Sequence, residues 1–226
     1  MQITTKFEKS KTMSNSKSGV GIYIDVIDSR KIELRDDLEF HVNNLKDFFS
    51  KNEEYGIFSI WKGLDEFMVI SPNWEFAAKT VIKIQEFLHS YEQRFVLTGF
   101  EDVNTDKPVH EMDNKEFAML ADGMIRLKKT KLYVEIIGKE YSVLLDSISI
   151  ILNALVSMKS SLTRSQMDIY CQNKAGISQT EIALQNNKSQ QYVSKTLKGI
   201  KAENLNVLEE RLYKIVAYGI NKGDFA

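Results

Sequence analysis

The stretch 55-YGIFSIWKGLDEFMVI-70 decides how the front of the chain is read. Two apolar runs rich in aromatic and β-branched residues, 55–61 and 67–70, flank a short segment, 62–66, that holds Gly63, Asp65 and Glu66. Such residues on both sides of a glycine-bearing connection predict a β-hairpin. Upstream, Leu34, Leu38, Val42, Leu45 and Phe48 or Phe49 recur every three or four residues, the spacing of one helix face. Before that helix, 19-GVGIYIDV-26 predicts a largely buried strand. Downstream, Ala77, Val81, Ile84 and Leu88 predict a second helix, and 94-RFVLTGF-100 another strand.

The resulting order, β-α-β-β-α-β, is that of a ferredoxin-like α+β domain. Residues 101–114 include one of only two prolines and read as a loop. A helix over 116–128, a strand over 131–137 and a long helix over 141–158 follow. The last is apolar on most sides, which predicts burial between layers. Everything after 159 reads as helical. The chain divides into a loose tail, 1–18, a ferredoxin-like domain, 19–158, and an all-α domain, 159–226.

Charge is balanced, with 30 basic and 31 acidic residues, so any affinity for nucleic acid must come from a local patch. One cysteine, Cys171, excludes an intramolecular disulfide and a cysteine-based metal site, and fits a reducing cytoplasm. His41, His89 and His110 are scattered, which argues against a histidine metal site. The most apolar run, 147–156, is shorter than the ~20 residues a bilayer needs, and no membrane partner is expected.

The segment 178-SQTEIALQNNKSQQYVSKTLKGIK-201 has the pattern of a helix-turn-helix. Ala183 is the small residue that two crossing helices need, Asn186-Asn187 supplies a turn, Ser189 is an N-cap, and Val193 is the apolar anchor. The second helix then exposes Gln190, Gln191, Ser194, Lys195 and Lys198, which with Ser189 form the candidate DNA contacts. Glutamine amides match adenine edges, and lysines match phosphates or guanine. Five lysines against one acid, Glu181, lie between Lys174 and Lys201. Upstream, 162-LTRSQMDIY-170 resembles the entry helix of LuxR-type and sigma-factor-type helix-turn-helix domains. Lys188 and Asn186 stand where apolar residues are common there. A plain α-hairpin with a solvated face is the competing explanation.

The hairpin carries a second constellation. Ferredoxin-like palm domains of nucleotidyl cyclases and polymerases place one carboxylate at the end of the first strand and another on the hairpin, where together they hold Mg²⁺. Asp25 matches the first position, and Asp65 and Glu66 match the second. Asp28, Arg30, Lys62 and Gly63 are the candidate nucleotide contacts around them, and Trp61 is a candidate to lie beneath a base. Leu64 stands where that superfamily's GGDEF hairpin has its second glycine, a place where a side chain would obstruct a nucleotide. The competing explanation is an Asx turn at 28–30 and a solubilising hairpin tip.

Taken in order, 25-DVIDSR-30, 63-GLDEF-67, 112-MDNKEFA-118 and the helix-turn-helix resemble the SatD family. Its corresponding segments read GD-x-x-x-SR, GDEF and DG-x-AF-x-x-A, so that Ile24 replaces a glycine. The resemblance implies a nucleotide-cyclase-like domain fused to a DNA-binding tail. The expectation is a cytoplasmic transcriptional regulator that binds double-stranded DNA as a homodimer, with a front domain that senses a nucleotide or dimerises. The alternative is a Mg²⁺-dependent cyclase, or another enzyme acting on nucleotide phosphate bonds through Asp25 and Asp65. A third is an adaptor with a relic palm domain.

Overall fold

The hairpin forms as β2 (Ile57–Lys62) and β3 (Glu66–Ser71), with Phe58 opposite Val69 and Ile60 opposite Phe67. Gly63 turns the chain at φ +65°, a left-handed backbone that side chains rarely adopt. In the computed structural model, which describes residues 17–27, 35–103, 109, 112, 114–138 and 140–219, the hairpin occupies one edge of a five-stranded sheet. The order is β2-β3-β1-β4-β5, where β1 is Lys17–Val26, β4 is Gln93–Val103 and β5 is Val134–Ile137. All neighbouring pairs are antiparallel except β4 with β5, which is parallel. Three helices connect the strands: α1 (Arg35–Lys51), α2 (Trp74–Phe87) and α3 (Lys115–Leu127). The fold class is mixed α+β. The strand β1 begins inside the stretch expected to be a tail, and the rest of that tail lies outside the described residues.

Alternation along β1 explains the layering. Val20, Ile22, Ile24 and Val26 point to a core shared with α1, α2 and α4 (Val143–Ser160), while Tyr23 points to the opposite face, against Met124 and Leu127 of α3. There α3 comes close because it has Gly123, where an added Cβ would lie 2.5 Å from Ile137 Cδ1 and 2.7 Å from Val96 Cγ1. Asn153 of α4 secures β5. Its side-chain oxygen accepts from Tyr133 N and Val134 N at 2.8 and 3.0 Å, and its amide donates to Val134 O at 2.7 Å. Among the described residues α4 is the one helix long and apolar enough to cross a membrane, by length and composition alone. Its Leu145, Ile148, Leu152, Leu155 and Val156 are buried in the core. The expected burial on most sides is not met, because Val143 and Ile150 are 69% and 68% exposed.

Four helices follow: α5 (Arg164–Lys174), α6 (Gln179–Gln185), α7 (Gln190–Gly199) and α8 (Ala202–Gly219). They share one continuous core with the front of the chain, through Met167, Tyr170, Leu212 and Val216. A four-charge cluster pins them there. Lys159, at the end of α4 and fully buried, lies 2.5 Å from Glu86 Oε1 of α2 and 2.6 Å from Glu209 Oε1 of α8. Lys174 of α5 reaches the same two carboxylates, at 2.8 Å and 2.5 Å. Tyr170 and Tyr213 donate to Glu209 at 2.9 and 3.4 Å, and their phenols are pushed up by burial and by that carboxylate. His89 at the end of α2 adds a contact to the Leu162 carbonyl, 2.8 Å away.

Burial alone would raise the Glu86 carboxyl, but Lys159, Lys174 and Lys83 overcome it and hold the group down at about 2, from an ordinary 4.5. A depressed carboxylate contributes stability that is present above its unfolded value and lost as pH falls through its folded one. Stability should therefore decline between about pH 4.5 and 2, and Glu86→Gln should flatten that decline. At neutral pH the same variant should lose about 3–5 kcal/mol, because it leaves a buried ammonium half-compensated. Denaturant unfolding of both proteins across pH checks this; an unchanged acid limb would show that Glu86 is not the group responsible.

Candidate functional site

Two places bring the candidate residues together. The first is the surface of α7. Three side-chain caps shape its surroundings. Thr163 and Ser178 form reciprocal capping boxes with Gln166 and Glu181, and Ser189 accepts from Tyr192 N at 3.1 Å. Between α6 and α7 the chain turns at Asn187, φ +52°, while Lys188 N returns to Ala183 O at 2.9 Å. Asn186 does not face outward. Its amide donates to Gln172 Oε1 of α5 at 2.9 Å and to Ile182 O at 2.7 Å, which ties the turn to α5. Val193 and Leu197 anchor α7 inward beside Ile182 and Ala183.

At about 100° per residue, Val193 and Leu197 set the inward direction of α7, and Gln191, Lys195 and Lys198 lie on the opposite side. Ser189, Gln190, Gln191, Ser194, Lys195 and Lys198 are all exposed. Lys188 and Lys201 are exposed in the turns before and after α7, so four lysines remain around this helix. Lys174, counted with them from sequence, is instead drawn into the Glu86–Glu209 cluster. Tyr192 was missed by sequence reasoning. It is 43% exposed, with Lys188 Nζ 5.4 Å from its ring centroid.

The second place is the end of β1 beside the hairpin. Val26 N donates to Asp65 O at 2.9 Å, which holds the hairpin tip against β1. Asp25 is then directly opposite Glu66 on one side and Arg94 on the other. Opposed residues of adjacent strands share a sheet face, so the two carboxylates stand together on the face that α3 covers. Lys128, the C-cap residue of α3, lies 2.6 Å from Asp25 Oδ1 and 3.9 Å from Glu66 Oε1. Arg94 is 3.6 Å from Asp25 Oδ2, and Tyr23 donates to Glu66 Oε2 at 2.7 Å. Burial, more than any neighbour, pushes the Asp25 carboxyl up and the Tyr23 phenol up.

The ammonium of Lys128 thus stands where a cation shared by Asp25 and Glu66 would stand. Among the described residues no three His, Cys, Asp or Glu side chains are grouped to hold a metal ion. As arranged, the residues do not fit Mg²⁺. Asp65 sits in the turn, its carboxylate 2.8 Å from where a Cβ on Gly63 would be, and Lys62 is exposed at the end of β2. Leu64 packs on the core instead of standing over the site. Trp61, 38% exposed, stacks on Phe117 of α3 with centroids 5.5 Å apart. Asp28 and Arg30 lie outside the described residues. Lys128, Arg94 and Tyr23 have no motif of their own; only the period-two alternation of β1, which puts Tyr23 beside Asp25, hints at them. The thiol of Cys171, half-buried, is pushed up to about 12, chiefly by burial.

No model of a known protein family matches the chain, and no curated protein matches it.

A carboxyl raised on folding contributes stability at low pH that is lost as pH rises through its folded value. Asp25 therefore carries a desolvation penalty at neutral pH. Asp25→Asn is expected to melt at the same temperature as the parent or higher at pH 7, with the difference closing as pH falls into the carboxylate range. A thermal melt lower by several degrees at pH 7 would mean that the pairs to Lys128 and Arg94 outweigh the burial.

Proposed function

We propose that the chain is a DNA-binding transcriptional regulator whose α6–turn–α7 unit is a helix-turn-helix and whose front portion is a ferredoxin-like sensor or dimerisation domain of the SatD type. The observation that carries this reading is the outward side of α7: the uncommitted Gln191 amide and lysines, with Ser194 at the margin, on a helix that the Ser189 cap and two buried anchors hold in place. Recognition by a helix in the major groove needs this combination of a fixed inward side and polar side chains directed out. The strand order β2-β3-β1-β4 with α1 and α2 on one face supports the ferredoxin-like assignment, and β5 with α3 extends it. Supporting the SatD assignment are the strand-end Asp25 and the 63-GLDEF-67 hairpin, which fold against each other.

One recognition helix contacts few bases, so the active form is a homodimer. Exposed apolar side chains on α8, among them Leu208, Ile215 and Tyr218, offer a surface for pairing. The compartment is the cytoplasm. A nucleotide ligand would enter at the Asp25–Glu66 end of the sheet, and Mg²⁺ there would first have to displace Lys128. The enzyme reading, with Asp25 and Asp65 as metal ligands, requires the same displacement.

Fluorescence anisotropy with a labelled duplex pool across salt tests the reading. The parent should bind, and Lys195→Ala with Lys198→Ala should reduce the salt slope by about 2 per bound chain, about 4 for the dimer. No binding at low salt would overturn it. For the front domain, Asp25→Ala with Asp65→Ala should abolish any nucleotide-dependent change in DNA affinity. A nucleotide product formed by the parent and lost in this double variant would instead establish the enzyme.

A further inference from the structure

We infer that the α7 surface selects A·T base pairs, with Gln191 reading adenine and Tyr192 packing on the thymine methyl. This deepens the helix-turn-helix reading and rests on it. Three observations converge. Gln190 and Gln191 stand side by side in the first turn of α7, exposed, and among the described residues neither amide is engaged in a hydrogen bond. Of the two, Gln191 lies near the centre of the outward side, whereas Gln190, three residues before Val193, lies on the inward side and is exposed at the start of the helix. The first turn of a recognition helix is the part that meets base edges. A glutamine amide donates and accepts at once, which matches adenine N7 and N6 and no other major-groove edge as well.

The second observation is an absence in the sequence. No arginine occurs between Arg164 and Arg211, so the commonest bidentate guanine reader is missing from all of α6 and α7. Lys195 and Lys198 supply point charges better suited to phosphate than to a planar two-point match. Third, Tyr192 presents an exposed aromatic ring at the flank of the same surface, and Lys188 lies over it. The ring gives an exposed apolar surface one residue on from Gln191, the complement of a thymine methyl near an adenine edge.

Selection of bound duplexes from a randomised pool by the full chain, followed by anisotropy on the best sequence, tests the inference. Enriched sites should contain A·T steps. Replacing the contacted adenine pair by G·C should weaken binding about 5- to 150-fold. Gln191→Ala should erase that discrimination while leaving the salt slope unchanged. Deoxyuridine in place of thymine, which removes only the methyl, should weaken the parent and leave Tyr192→Ala indifferent. Both side chains are exposed, so the variants retain the fold, which circular dichroism checks. Enrichment of G·C sites, or an adenine preference that survives Gln191→Ala, would overturn the inference and leave DNA binding standing. Failure to bind any duplex at low salt would overturn both.

Discussion

The Lys159 ammonium constrains the chain more than any other group. It is fully buried. An unpaired ammonium in that position would carry a desolvation cost of several kcal/mol. Its compensation comes from Glu86 on α2 and Glu209 on α8, residues far apart in sequence that must meet at one point. That requirement fixes α8 across α2 and the end of α4. Lys174 then balances the second carboxylate and fixes α5 as well. Apolar packing would tolerate several ways of docking four helices onto a sheet. A cluster of two lysines and two glutamates tolerates few, because each alternative strands a charge.

A contrasting use of lysine occurs at the other end of the sheet. Lys128 is 40% exposed in its side chain and approaches Asp25 from the rim. Its loss would strand no buried ammonium. The carboxylate it meets is the strained partner, raised by burial despite two cations nearby. Asparagine there would carry no such desolvation penalty. A buried carboxyl kept at a cost, beside a hairpin whose glycine turn brings Asp65 close, is the kind of group that serves a ligand. The sensor reading draws on that contrast between a cluster that secures the fold and one that strains it.

What could be read from sequence follows the range of the forces involved. Strand alternation, helix spacing and caps act within a few residues, and so the hairpin, the β-α-β-β-α-β order and the Ser189 cap were legible. The α7 surface was legible for the same reason. Charge pairing across the fold was not. Lys174 reads as a surface lysine next to a basic run, and only its position opposite Glu86 and Glu209 takes it inward. Lys128 reads as a helix-ending lysine, yet it stands between the two carboxylates expected to bind metal. Burial of α4 was expected because it is apolar on most sides, but β5, α2 and α8 cover only part of that helix and Ile150 is exposed.

The inward capture of Lys174 bears on how strongly DNA would be held. Four lysines, Lys188, Lys195, Lys198 and Lys201, remain around α7 of a nearly neutral chain. Each phosphate neutralised contributes roughly 0.9 to the slope of affinity against salt. A single chain using all four would show a slope of about −4, which gives weak non-specific binding at physiological salt. Phosphate contact alone would then not hold one copy on DNA. Selectivity would have to come from base edges, and affinity from a second α7 in the next turn of the groove. A modest local charge thus favours the dimer on the same grounds that it favours direct reading by Gln191. Moving one lysine from the fold cluster to the surface would raise affinity for any sequence and lower the discrimination between sequences.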